Sequence, residues 1–397
     1  MLQLDAVQTL AFAGLALFLG YALCRGIPVL GRYNLPPPVI GGLVFAVAAW
    51  IAHDQGGTLF TLDTGLQAPL MIAFFTTIGF NASLRLLKIS GKQVLVFLAL
   101  ATVFAVLQNQ LGILVAKAFG LHPLFGVLAG STTLTGGPAT GLAFAPLFEQ
   151  AGVPGAASVA VAAAMGGIVI GGLIGGPVIT VLIRRFSLVS SQPNVHVAPG
   201  EEVLVVALSE SQREYSGLKS MVVILVAMWL GSWVSGLISS TGVTLPAYVG
   251  AMLIGAAIRN LDDATGWIGL SLPTIDLIGN VCLALFLSLA LTNLKLWELA
   301  GLAMPLLVNL GLQALMVAAF CLLVYRLMGR DFDAAVMGGG FIGFMLGTTA
   351  NAMAVMRTLV ERYGAAPRAF LVAPLVGAFF IDFANALIIT GYINYFK

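Results

Sequence analysis

Two acids, Asp276 and Asp382, fall inside long apolar runs, where a charge is costly and is by default functional. Asp382 lies in the run GAFFIDFAN (377–385), one helical turn before Asn385, so the carboxylate and the amide share a face. That pair offers oxygens to Na⁺ or to the ammonium of an amino acid. Asp276 sits a few residues inside its run, within reach of the interface. Two other stretches carry hydroxyls and glycines in place of charges: STTLTGGPAT from Ser131 to Thr140, and GFMLGTTAN from Gly343 to Asn351. Hydroxyl, amide and freed carbonyl oxygens suit a hard cation. Unpaired N–H groups at a restarting helix suit a carboxylate.

On this chemistry Ser131, Thr133, Asn280 and Asp382 are candidate Na⁺ ligands. Thr135, Gly136, Gly137, Thr140, Gly347, Thr348, Thr349, Asn351 and Asn385 are candidate contacts for an anionic solute. Arg357, just past the second stretch, is a candidate counter-charge for its carboxylate. The plain alternative is that Gly and Thr here only pack helices closely. Asn81, Gln108 and Asn109 are further amides in or beside apolar runs, fit for ligation or for bonds between helices.

Catalysis finds little footing. His53, His122 and His196 fall in separate polar segments, so no metal triad or Ser/His pair assembles at membrane depth. Cys24, Cys282 and Cys321 have no ligand spacing and read as small buried hydrophobes.

The elements that must position these residues follow from composition. Charged residues are 9% of 397 and hydrophobic residues 59%. A soluble domain carries about 25% charged residues, so the surplus apolar surface must face lipid. A net charge of +2 points to no nucleic-acid partner. The first nine residues contain Asp5 and no basic residue, so the first run is expected to remain as a span rather than leave as a signal peptide.

Runs long enough to span fall near 7–24, 36–52, 67–85, 93–117 and 157–183, then near 217–239, 244–260, 271–292, 299–327 and 366–394. A polar segment, 186–216, reads as a cytoplasmic linker between an N-terminal repeat (1–185) and a C-terminal repeat (217–397). The glycine-rich stretches 123–149 and 333–358 either cross the membrane or turn back within it. Cytoplasmic loops concentrate Lys and Arg. With both stretches as re-entrant hairpins and both termini outside, only Lys117, Lys295 and Lys397 of the 18 basic residues lie outside. With both stretches crossing, the same residues divide evenly. The hairpin arrangement is therefore expected.

Five spans per half then place the halves in opposite orientations. Weak echoes in the same order support a repeat: Leu35-Pro36 with Leu245-Pro246, Asn81 with Thr292 and Asn293, Gln108 with Gln313. An all-α membrane protein of ten transmembrane helices results, in two inverted five-helix repeats with a re-entrant hairpin in each. Inverted repeats with non-helical backbone at membrane depth mark secondary transporters.

At these residues the chain resembles the bacterial sodium/glutamate symporter family over nearly its whole length. The carrying stretches are LAGSTTLTGG (128–137), GGLIGGP (171–177), LKLWEL (294–299), GFMLGT (343–348), and VGAFFID (376–382) with Asn385. To these add Ala350, Ala352, Ala354 and Met356. The resemblance implies a fold similar to that of sodium/citrate carriers, a homodimer in the bacterial inner membrane, and no organic cofactor. It implies a scaffold of spans 1, 2, 6 and 7, an elevator-type core holding both hairpins, and glutamate and Na⁺ bound between the tips. The chain departs from the glutamate-carrier pattern at Pro138-Ala139-Thr140, where His-Gly-Thr is common, and at Phe341, where a His often stands. A carrier of di- or hydroxycarboxylates is the second reading, and a passive channel the third.

Overall fold

The computed structural model describes residues 2–32, 35–57, 59–89, 91–190, 210–240, 245–299 and 301–396. Residues 191–209 of the expected linker, His196 and Lys397 lie outside them.

The apolar runs form helices. The first half holds α1 (Ala6–Gly26), α2 (Pro28–Arg32), α3 (Pro37–Asp54), α4 (Gln67–Phe80), α5 (Leu84–Ile89) and α6 (Gly91–Ala118). Then α7 (Pro123–Val127) runs into a π turn (Leu128–Thr132), followed by α8 (Gly137–Gln150) and α9 (Ala156–Arg185). The second half holds α10 (Glu210–Ser239), α11 (Ala247–Thr265), α12 (Leu272–Thr292), a 3₁₀ turn (Leu296–Leu299), α13 (Ala303–Leu327), α14 (Phe332–Met345) and α15 (Thr349–Tyr363). It closes with α16 (Pro367–Leu375), a second π turn (Val376–Phe380) and α17 (Ile381–Phe396). A short parallel ribbon, β1 (Leu2–Leu4) with β2 (Phe60–Leu62), adds an element that the apolar pattern did not announce.

Among the described residues seven helices, α1, α3, α6, α9, α10, α12 and α13, are long and apolar enough to cross a membrane. The chain is a multi-pass, all-α membrane protein. The remaining expected spans differ in detail. The one expected over 67–85 stops at Phe80, where Asn81 closes α4; its 14 residues rise only about 21 Å. Helix α11 ends on Arg259, Asp262 and Asp263, with Arg259 and Asp263 paired at 2.9 Å. The last run, 367–396, is interrupted by its π turn.

Helix packing divides the chain into two bodies. Helices α1, α3, α4, α10, α11 and α12 pack mainly on one another, while α6, α7, α8, α9 and α13 to α17 form the other group. The third and eighth expected spans, α4 and α12, thus join the four helices expected for the scaffold. Small residues are the reason, since they let backbones touch. A Cβ on Gly79 would fall 2.2 Å from Met252 O on α11, and one on Gly279 would fall 2.1 Å from Thr77 Oγ1. The same device recurs in both halves. Gly41 on α3 lies against Ala16 on α1, and Gly231 on α10 lies against Ala251 on α11.

Both glycine-rich stretches fold back on themselves. In the second, Gly343 faces Ala352, Gly340 faces Met356 and Gly339 faces Leu359, the pairing of two antiparallel helices. Its entry is tied to the start of α16, where Arg368 pairs with Asp331 and the Arg368 main-chain N–H donates to Asp333 Oδ1 at 3.0 Å. In the first, a Cβ on Gly152 would lie 4.0 Å from His122 Cδ2, so entry and exit are adjacent.

Candidate functional site

The break in the first hairpin begins inside its π turn. Gly130 leaves helical geometry at φ −101°, ψ −128°, and π turns tend to sit at functional sites. Backbone groups released there need partners in a dry interior, and three amides supply them. Asn109 Oδ1 accepts from Ser131 N at 2.9 Å, Asn309 Nδ2 donates to Ala129 O at 2.6 Å, and Asn385 Nδ2 donates to Ser131 O at 2.8 Å. The chain resumes as α8 at Gly137, whose φ of +70° favours glycine. No side chain caps α8, and Pro138 in its first turn contributes no N–H.

The second break is simpler. Helix α14 ends at Met345, Thr348 is extended, and α15 starts at Thr349 without a side-chain cap. Asn351 Nδ2 donates to Ile168 O and Gly343 O, each at 3.2 Å, fixing the new helix to α9 and α14.

The two tips meet. A Cβ on Gly137 would lie 3.0 Å from Thr348 Cγ2, with Gly347 O 4.0 Å away. The run 377–385 passes along both. Thr349 Oγ1 donates to Gly377 O at 3.2 Å at one end, and Asn385 holds Ser131 O at the other. Asp382 lies between these anchors, half-buried and with no ion-pair partner among the described residues.

Around the first tip several buried oxygens have no hydrogen-bond partner among the described residues: Ser131 Oγ, Thr132 Oγ1, Asn385 Oδ1 and Gln313 Oε1. A buried, unpaired polar atom costs free energy, so a group of them beside an acid fits a dehydrated cation. The other hydroxyls are engaged. Thr133 Oγ1 donates to Leu128 O at 2.8 Å and Thr135 Oγ1 to Gln108 Oε1 at 2.6 Å. Thr140 is buried and packs over Gly136.

Most of the expected site residues therefore come together: Ser131, Thr133, Thr135, Gly136, Gly137, Thr140, Gly347, Thr348, Thr349, Asn351, Asp382 and Asn385. Two do not. Asn280 is exposed on α12, in the other body, and is absent from the side chains that meet the tips. Arg357 is exposed on α15, about 12 Å along the helix from Thr349. Asp276, also on α12, accepts from Asn81 Nδ2 at 2.9 Å and serves helix contact.

Phe341 is fully buried, with its ring centroid 5.4–5.6 Å from those of Phe97, Phe104 and Phe320. Expected beside the site, it is instead a core residue; Pro138 alone of the two departures borders the tip. Sequence reasoning missed Thr132 and Asn309. Asn309 stands one turn before Gln313 in an apolar helix, a spacing that could have revealed it.

Comparison with known proteins agrees with this geometry. A family model described as sodium/glutamate symporter matches residues 2–365. The chain is similar to a sodium/glutamate symporter of Haemophilus influenzae, 40% identical over 385 residues, covering 96% of this chain and 95% of that protein. It is equally similar to one of Escherichia coli, 40% identical over 400 residues, covering 99% of this chain and 98% of that protein.

Proposed function

The chain belongs to the sodium/glutamate symporter family, and from that premise we propose a route for its cargo. It is a membrane symporter coupling glutamate to Na⁺, and needs no organic cofactor. The observation that carries the rest is the meeting of two uncapped helix starts beside unpaired buried oxygens and a lone carboxylate.

Na⁺ binds at the first tip, between Ser131 Oγ, Asn385 Oδ1 and Asp382, with Thr132 and the carbonyls freed near Gly130 in reach. The glutamate carboxylates lie between the starts of α8 and α15, against Gly136, Gly137, Thr348 and Thr349. Thr135 and Asn351 hold the tips in shape around them. Arg357 draws the anion along α15 rather than gripping it.

The body holding both hairpins is the mobile element, sliding like an elevator against the six-helix body. Two lines support an inverted repeat of 1–185 and 217–397. Pro36 and Pro246 precede α3 and α11, the second expected span of each half, and Asn81 and Asn293 close α4 and α12, the third. In this reading both termini are periplasmic, the protein resides in the bacterial inner membrane, and it works as a homodimer. Each net positive charge moved inward across 100 mV supplies about 2.3 kcal/mol, so a glutamate monoanion carried with two or more Na⁺ is driven by voltage.

Purified protein in liposomes tests the reading. Glutamate uptake should saturate and should require an inward Na⁺ gradient. Flux proportional to concentration and indifferent to sodium would make the chain a channel. Uptake of malate or citrate without competition by glutamate would make it a carrier of those acids.

A further inference from the structure

Gln108 is fully buried on α6, and it is bonded to both tips at once. Its Oε1 accepts from Thr135 Oγ1 at 2.6 Å, at the first tip, and its Nε2 donates to Met345 O at 2.7 Å, at the second. Its own main-chain carbonyl accepts from Gln313 Nε2 at 2.8 Å, which ties the α6 backbone at this residue to α13. Met345 O belongs to the last turn of α14, where carbonyls have no partner in their own helix. Thr135 Oγ1 also lies 3.7 Å from Met345 Sδ.

A single side chain thus spans the gap between the two breaks. Separating the tips would strand a buried hydroxyl, an amide and a carbonyl together, and a buried network that loses one member loses more than one bond. A displacement of Thr135 is passed through the amide plane to the carbonyl that ends α14, two residues before Gly347. The first tip carries the unpaired oxygens and the second carries the uncapped start of α15.

We infer that Gln108 is a positioning residue that couples the two ligands: it holds the second tip at the spacing that glutamate needs only when Na⁺ has ordered the first. The inference rests on the proposed sodium and glutamate sites. Coupling of this kind is reciprocal, so sodium raises the affinity for glutamate by the factor with which glutamate raises the affinity for sodium.

The test measures glutamate binding by the purified full-length protein at limiting and at saturating Na⁺, and takes the ratio of the two dissociation constants. Gln108→Met keeps length and volume but cannot donate to Met345 O, and its thioether accepts from Thr135 only weakly. Its ratio should fall by about tenfold toward unity. Thr135→Val should lower the ratio likewise, and Thr135→Ser should restore it. A purely structural role would lower thermal stability and weaken both constants in parallel, leaving the ratio intact. An unchanged ratio in folded Gln108→Met overturns the inference. If that variant does not fold, the same ratio in Thr135→Val, set against Thr135→Ser, decides. A wild-type ratio of one would remove the sodium-coupled reading itself, and the inference with it. A large wild-type ratio that survives in the variants removes the inference alone.

Discussion

The two hairpins answer the same structural problem in different ways. In the first, α8 is buried from Gly137 to Ala145 apart from the half-exposed Ala139, and it carries no charge before Glu149. Its Phe144 ring packs on Tyr248 of α11, centroids 5.3 Å apart, and Tyr248 packs on Phe75 of α4 at 4.6 Å. Leu142 joins an apolar cluster with Val39, Phe286 and Leu291. In the second, α14 is buried throughout, but α15 turns Ala350, Arg357, Thr358 and Glu361 outward. Packing in the first break is backed by three amides from three helices; the second relies on Asn351 and Gln108. One tip is clamped against the six-helix body and the other lies open.

Four experiments test this difference between the hairpins. The base of the second hairpin should be as rigid as the first, with mobility confined to α15. Phe341→Ala should therefore cost about 3–5 kcal/mol of stability, read as a lowered Tm, with no change in solute preference; a changed preference would return Phe341 to the site. Asp382→Asn removes the one acid between the tips. Sodium-driven uptake should drop roughly a hundredfold, the loss expected when a buried charge partner costs about 3 kcal/mol; unchanged sodium dependence would take Asp382 out of the site.

Asn385→Leu should loosen the clamped tip alone. Its cost is about 1–3 kcal/mol, and the stabilisation of the protein by added Na⁺, followed by thermal unfolding, should shrink with it. A variant stabilised by sodium as well as the wild type would show that Asn385 only packs. The smallest effect is kinetic. In the sodium-free protein a membrane-impermeant maleimide should label Ala350→Cys faster than a cysteine at the buried Ala143 (Ala143→Cys) by about tenfold, since the covered position must first open at about 1.4 kcal/mol or more. Equal rates would erase the asymmetry.

Much of this was written along the chain. Charge bias and glycine density marked 123–149 and 333–358 as turning back, and the acid one turn from Asn385 marked the run between the tips. Pro36 and Pro246 each stand at a helix start, and Gln108 accepts through its main-chain carbonyl from Gln313. Asn280 and Phe341 were misjudged for one reason. A polar or aromatic residue within an apolar run shows its depth in sequence, but not which neighbour its face meets.

Periodicity, charge and backbone cost act over a few residues, so they suffice to put the chain in a membrane, to locate the breaks in its helices and to name the oxygens at those breaks. The partners those groups take are set by contacts between distant segments. Gln108 and Met345 are 237 residues apart, Asn385 and Ser131 254. Bonds across such separations depend on how finished helices pack, and small residues that let backbones touch set that packing.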